Sequence, residues 1–559
     1  MPSELDRKYD AVLAAVIGEG GRFQIARDDL GRAYVANLPP TLPILFDAFC
    51  TLNAQTEAVI AGDERLTFAD LHRHAQQLAK ALVGSGIRKG DRIAIAMRNC
   101  PAWIVSYMAV LEAGGIATLI NGWWQADEMR HALELVEPTL VIADSGRAKR
   151  IEEGCGGCRI VTLPVERPIA EVLAPFLGGP EGTPPPIGPD DDATILFTSG
   201  STGLAKGAVS SHRAVTTGVY AYTLSLATLR GIRESAGEVV PEPKTLVNVP
   251  LFHVTGEVPV LLNSFVINRT MVLMPKWDAG EALRLIEKEK VTYFVGVPTM
   301  SLELMQHPDR DKYDVSTLSD IAAGGAARPV AHVKRLEESF TGAQPALGYG
   351  LTETNAVGCG NFWSNYHEKP ASTGRAQKPM VELAILGAGD AHLPAGEKGE
   401  IAIRSLANIR GYWRNDAATA AAFTADHYFR TGDIGYVDED GYLFIVDRKK
   451  DIIIRGGENI SAQEVEAAIY SHPSVSEAAV FGVVDERLGE VPAAVVWCEK
   501  GGVDRAALTE FLSGNIARYK VPEQIWFAQE PLPKLGTGKI DKVRLRDHYR
   551  ALAARDATQ

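Results

Sequence analysis

The feature that most constrains the fold is an alternation between Leu66 and Asp144, where amphipathic segments trade places with short apolar runs. LTFADLHRHAQQLAKALVGSG (66–86), PAWIVSYMAVLEAG (101–114) and ADEMRHALELV (126–136) carry apolar residues at helical spacing. DRIAIAM (91–97), GIATLI (115–120) and TLVIAD (139–144) have the length and composition of buried strands. Strands apolar on both faces need cover on both faces, and a helix after each strand returns the chain for parallel pairing. The rhythm predicts an α/β fold whose large N-terminal part is built of helix-covered βαβ sheets. It resumes after the proline-rich loop EGTPPPIGPDDD (181–192), where ATILFT starts a strand. A second βαβ region is expected where TLVNVP (245–250) and VTYFVGV (291–297) flank a helix over 280–289.

After about Glu382 the pattern changes. KGEIAIRS and GYVDEDGYLFIVDR read as antiparallel strands of a small β subdomain, with Asp440-Gly441 as a hairpin turn. Beyond Asp447 comes a small α+β pattern: a helix over 462–471, strands EAAVFGVV and PAAVVWCEK, and a helix over 504–518. The expected domains are therefore 1–447 and a small mobile 448–559.

Bulk properties exclude several classes. A net charge of −13 is wrong for a general nucleic-acid binder. No apolar run reaches the ~18 residues of a membrane span. The start MPSELDRKYD has no signal-peptide core, and the end RDATQ has no prenylation or peroxisomal signal, so a cytoplasmic location is expected. Six cysteines fit a reducing compartment. Cys155 and Cys158 form a C-x-x-C with no second pair at metal spacing, and read as ordinary thiols.

One segment carries a clear chemical signal. Thr198-Ser199-Gly200-Ser201-Thr202-Gly203-Leu204-Ala205-Lys206-Gly207 follows the strand ATILF directly. Glycines let backbone approach an anion, successive N–H groups and hydroxyls can ring phosphate oxygens, and Lys206 adds a point charge. The other reading, a flexible Ser/Gly surface loop, does not account for a lysine and tight glycines just past a buried strand. The run does not fit the Walker pattern, and neither does Gly536-Thr537-Gly538-Lys539-Ile540.

TSGSTGLAKG resembles the phosphate-loop signature of the adenylate-forming (AMP-binding, acyl-CoA synthetase) superfamily. VPLFHVTG (249–256), AAGGA (322–326), GYGLTET (348–354), YFRTGDIGYVDEDGYLFIVDRKKDIIIRGGENIS (428–461) and PLPKLGTGKID (531–541) follow in that superfamily's order. The likeness runs from about Leu66 to Lys542, with the acyl- or aryl-CoA ligase branch as the best fit.

The resemblance implies roles by position. Tyr349 would stack on adenine, Thr352 contact a phosphate and Glu353 hold Mg²⁺, while Gly324, Gly325, Gly348 and Gly350 bring backbone close to the nucleotide. Asp433 and Arg448 would hold the ribose. Lys539 would bridge the carboxylate and α-phosphate during adenylation, and Lys450 would be the hinge. Gly456 and Gly457 would line the CoA tunnel, and His253 would stand beside the acyl pocket or gate that tunnel. By residue type alone, other readings stay open: a β-turn aspartate at 433, exposed lysines at 450 and 539, and a satisfied core histidine at 253. Trp123 and Trp124 stand where many relatives have proline, and read as packing or pocket shape.

The implied reaction is ATP-dependent: carboxylate plus MgATP gives acyl-adenylate and pyrophosphate, and CoA then takes the acyl group. The partners are thus a small carboxylic acid, ATP and CoA, with no nucleic acid and no membrane span; a homodimer is left open. The rivals are an adenylating enzyme that loads a carrier protein, a luciferase-like oxygenase and a silent sensor on the same fold. Against the first, His253-Val254-Thr255-Gly256 lacks the aspartate of amino-acid-activating relatives, and little chain follows Lys539. Gly350 stands where acetate-specific relatives carry a pocket-closing tryptophan, so an open pocket floor is expected. Thr255, Gly256, Ala356 and Val357 would line the pocket with no charged residue in these stretches. That points to a fatty or other mostly apolar monocarboxylic acid larger than acetate.

Overall fold

A computed structural model describes residues 2–154, 159–198, 205–325, 328, 330–448, 451–455, 458–485, 487–499, 502–535 and 539–556. The helices begin where local chemistry allows. In helix Phe68–Gly84, Thr67 accepts from the Asp70 N–H and Asp70 accepts from the Thr67 N–H, so two orphan donors are satisfied together. Helix Pro101–Glu112 opens on a proline, whose missing N–H is no loss at that position. Pro101 to Leu111 are all buried, which explains a helix apolar all round.

The described residues form sheets of seven, thirteen and five strands and a two-stranded ribbon. The seven-stranded sheet contains the βαβ units read from sequence. Ile116–Leu119, Arg92–Ala96, Leu140–Asp144 and Ile160–Leu163 are parallel, and Asp192–Thr198 joins them in parallel beside Ile116–Leu119. The thirteen-stranded sheet mixes parallel and antiparallel pairings. Tyr293–Gly296, Asp320–Gly324 and Gln344–Gly350 run parallel, and Gly358–Phe362 turns back antiparallel. The antiparallel strands expected after Glu382 are present, and they continue this same sheet through Gly374–Ala376 and Tyr442–Arg448. The third sheet belongs to the small C-terminal domain: Ile453–Arg455, Glu458–Ile460, Glu477–Asp485, Gly489–Trp497 and Gln524–Phe527.

Two local outcomes differ from the sequence expectations. The strand read over 245–250 stops at Val247, because the chain turns through Asn248 to Pro250 and proline has no N–H for a ladder. Gly256–Leu262 is a π-helix with Pro259 inside it. A proline there removes a regular helical hydrogen bond, which favours the wider turn. Among the described residues no helix is long and apolar enough to cross a membrane.

Helix Glu4–Ile17 packs on the long helix His212–Ser235. It is clamped by Asp6, whose buried carboxylate accepts from the Ser3 N–H, Asn365, Arg375 and Tyr442 at 2.9–3.1 Å. Arg375 and Tyr442 come from the antiparallel half of the large sheet, so one side chain ties the N-terminal helix to distant strands. Asp6→Ala leaves those donors unmatched, and a loss of about 1–3 kcal/mol is expected. Chemical denaturation measures it, and proteolysis should accelerate near the end of the helix.

Candidate active site

A cavity of about 2100 Å³ opens at the carboxyl ends of the parallel strands, where ligands bind in open α/β sheets. Its floor is backbone. Gly324 and Gly348 are register partners on adjacent parallel strands, so two residues without side chains lie side by side at the rim.

The phosphate-loop candidates bracket one end of the cavity. Thr198 and Lys206 face each other across the antiparallel pair Asp192–Thr198 and Lys206–Ser211. Ser199, Gly200, Ser201, Thr202 and Gly203 lie outside the described residues. The Lys206 ammonium sits 4.8 Å from the Tyr412 ring centre. The Tyr412 hydroxyl donates to Glu353 at 3.0 Å, and the Thr198 hydroxyl also bonds that carboxylate. Burial pushes the Glu353 pKa up, opposed by these hydrogen bonds and by the Arg448 charge. Thr352 and Glu353 lie on the short 3-10 turn Thr352–Thr354 that leaves strand Gln344–Gly350.

On the opposite wall, Asp433 and Arg448 are register partners in the strands Phe429–Val437 and Tyr442–Arg448. Arg448 Nε donates to Asp433 at 2.9 Å and the Tyr349 hydroxyl donates to it at 2.7 Å. Burial raises the Asp433 pKa, with Arg448 opposing it. A carboxylate has about four acceptor positions, so room remains for further donors.

Lys539 reaches this cavity from the C-terminal domain. A Cβ placed on Gly325 would lie 3.1 Å from Lys539 Cε and 3.2 Å from its Nζ, so the ammonium rests against that glycine. Gly325 has φ +75°, a second reason for the absence of a side chain. Burial lowers the Lys539 pKa to about 8; nearby Arg448 lowers it too, and Asp433 opposes them. The lysine is carried by a short antiparallel bridge, with the Leu535 N–H bonding Lys539 O at 2.7 Å. Lys534 anchors that bridge to Glu477 at 2.9 Å and, across the domains, to Glu303 at 3.3 Å. His253 also lines the cavity. It accepts from the Thr255 N–H at 3.3 Å through Nδ1, and burial, aided by the Lys539 charge, holds its pKa down to about 3. The imidazole is therefore neutral, with its proton assigned to Nε2 by that hydrogen bond.

Residues 46–413 match the AMP-binding enzyme model and residues 464–539 match the AMP-binding enzyme C-terminal domain. The chain belongs to the AMP-binding enzyme family. It falls in the CoA ligase branch of this adenylate-forming superfamily. It is 34% identical to a long-chain-fatty-acid–CoA ligase of Bacillus subtilis, covering 92% of this chain and 96% of that one. It is likewise 34% identical to a feruloyl-CoA synthase of Amycolatopsis, covering 89% and 97%. The solved structure of a Mycobacterium tuberculosis fatty acyl CoA synthetase superposes with a TM-score of 0.70 at 30% identity, over 92% of this chain and 99% of that one.

Not every candidate position in this AMP-binding enzyme reaches the cavity. Thr255, Gly350 and Ala356 line it; Gly256 and Val357 do not. Gly256 is buried against the Pro250 carbonyl, which a Cβ would meet at 2.1 Å, and Val357 is wholly enclosed in the core. The expected reason for Gly350 also changes. A Cβ there would lie 2.1 Å from the Ala356 carbonyl oxygen, so the glycine permits a tight backbone turn rather than opening a pocket floor. Trp123 and Trp124 both line the cavity, and Trp124 packs edge-on against Phe197 at 5.5 Å. Lys450, Gly456, Gly457, Cys155 and Cys158 lie outside the described residues.

Sequence reasoning missed Tyr412, the partner of both Glu353 and Lys206, because an aromatic in GYW carries no spacing signal. It also missed Arg269, which lines the cavity from outside the stretches read as pocket. Gly350→Ala should cost about 1–3 kcal/mol by overpacking. Turnover of acetate and of longer acids should fall together; a selective gain for acetate would instead restore the pocket-floor reading.

Proposed function

We propose that this chain is an AMP-forming carboxylate–CoA ligase that makes an acyl-adenylate and then its CoA thioester, acting on a mostly apolar acid larger than acetate. The observation that supports it most is the Lys539 ammonium seated at Gly325, in one cavity with Thr198, Lys206, Glu353, Asp433 and Arg448. That puts cations and hydroxyls around one point where a phosphate chain and a carboxylate can meet.

In this reading ATP lies over the Gly324–Gly348 rim. Tyr349 stacks on adenine, and Asp433, oriented by Arg448, accepts the ribose hydroxyls. Lys206, Thr198 and Thr352 hold the β- and γ-phosphates with the loop 199–203. Among the described residues no group of three or more His, Cys, Asp or Glu gathers as a metal site. A single buried carboxylate beside phosphates is the setting that Mg²⁺ uses, so Glu353 fits as its one protein ligand. When bound, Mg²⁺ would neutralise the phosphate charge. Lys539 donates to the carboxylate and α-phosphate oxygens as the acid attacks phosphorus in line and pyrophosphate leaves; such a donor is worth about 10²–10³-fold. Neutral His253 borders the acyl group without bringing a second cation to it.

For the second step, domain 448–559 turns about Lys450, withdrawing Lys539 and bringing Gly456 and Gly457 to line the path of the CoA thiol. CoA attacks the acyl carbon and AMP leaves. The curated CoA ligases among the relatives favour CoA over a carrier protein as acceptor. Buried thiols at Cys50, Cys100 and Cys359 suit a cytoplasmic enzyme.

Lys539→Ala should abolish acid-dependent ATP–pyrophosphate exchange yet leave thioester formation from supplied acyl-adenylate largely intact. Equal loss in both half-reactions would contradict the assignment, and ADP as product would contradict the chemistry. Raising pH through about 8 removes the ammonium proton, so adenylation should decline on that side. With His253 neutral, no acid limb from it should show between about pH 5 and 8. Lys534→Ala loosens the bridge that carries Lys539, and should slow adenylation several-fold with little effect on the thioester step.

A further inference from the structure

The cavity extends along the large sheet, away from the glycine rim, and passes a buried cation. Tyr293 and Asp320 begin adjacent parallel strands and are register partners; Gly324 ends the second of these strands. Four residues at ~3.3 Å each separate Asp320 from the rim, about 13 Å. Walls between these ends are supplied by Leu229, Val295, Ala322, Ala346, Cys359 and Phe362. At the far end the Arg269 guanidinium lies 5.2 Å from the Tyr293 ring centre, and both residues line the cavity.

Arg269 is 2% exposed. Its Nε donates to Ser264 Oγ at 2.9 Å, and Nη2 donates to the Pro259 and Val260 carbonyls at 2.7 and 2.9 Å. An arginine has five N–H donors, so these bonds leave the two on Nη1. Among the described residues neither has a protein acceptor, and no carboxylate pairs with this side chain. The nearby acid is already engaged: Asp320 takes Arg233 at 3.1 Å and the Trp363 indole N–H at 3.1 Å. Burial lowers the Arg269 pKa only to about 10, so the group stays cationic at neutral pH. Arg233 is matched by Asp320 and Glu238, so Arg269 is the arginine at this end without a carboxylate partner among the described residues. A buried cation with idle donors is costly unless an acceptor meets it.

Resting on the ligase reading above, we propose that Arg269 receives an oxygen at the distal end of the acid. The substrate class is then an extended carboxylic acid with an apolar body and a terminal carboxylate or ketone. A plain alkyl tail beside Arg269 would offer its two idle donors no acceptor. This refines the expectation of an apolar monocarboxylate: the body is apolar and the end is not.

The test is acid-dependent pyrophosphate release by the full chain. The panel is suberate, sebacate and dodecanedioate, acids of the same lengths ending in a methyl ketone, and octanoate, decanoate and dodecanoate. At one length or more, an oxygen-ended acid should exceed its plain counterpart in kcat/KM by at least about tenfold, mainly through KM. Arg269→Met should erase that ratio and Arg269→Lys should keep part of it. Preference for the diacid alone or the ketone alone supports the proposal and identifies the acceptor. Parity at every length in the wild-type protein overturns it even if the variants fail to fold, as does an oxygen preference that persists in Arg269→Met. If no acid releases pyrophosphate, the ligase reading falls first and this inference with it.

Discussion

Strand Gln344–Gly350 has a parallel neighbour on one side and an antiparallel neighbour on the other, and the site hangs on that change of direction. The chain must leave this strand and return beside it within a few residues. It does so because Gly350 lets its backbone close on the Ala356 carbonyl, while Asn355 and Ala356 take positive φ. Asn355 then locks the turn to Ser210 of the seven-stranded sheet and to the Ala407 carbonyl in a neighbouring loop, at 3.0 and 2.7 Å. Tyr349 stands just before this turn, with Thr352 and Glu353 upon it, so the geometry of the polar groups follows from one tight backbone approach.

The charges gathered there could not rest side by side without mutual support. Asp433 is enclosed, and it keeps company with Arg448 and the Tyr349 hydroxyl. Glu353 is held by Tyr412 and Thr198. Burial and the nearby Arg448 charge lower the Lys539 pKa, and Asp433 opposes them. A phosphate chain would relieve the repulsion between Lys539 and Arg448. Lys534, paired with one carboxylate in each domain, holds the inserted position through contacts weak enough to exchange.

Much of this was legible in the chain. The βαβ alternation stated the parallel sheets, because burial on both faces leaves an apolar run no other good option. The blocks around Thr198, Gly348, Asp433 and Lys539 marked the candidate site, since such glycines, hydroxyls and charges have few other reasons to recur in that order. Less legible were residues whose importance comes from a neighbour distant in sequence. Tyr412 matters through Glu353, and Glu303 through Lys534, and neither pairing leaves a periodic trace. Gly256 and Gly350 were noticed as missing side chains and assigned to open space, whereas each is filled by backbone.

The sequence by itself determined the fold class, the family chemistry and the residue types at the nucleotide end, because these depend on local periodicity and short contiguous motifs. Tertiary structure alone decided which candidate positions face the cavity and how far the cavity runs. It also decided which charge stands at the far end. Those outcomes depend on how separate segments pack: Arg269 reaches the chamber because a π-helical turn offers it two carbonyls while Asp320 is taken by Arg233. No stretch of sequence contains both halves of that competition.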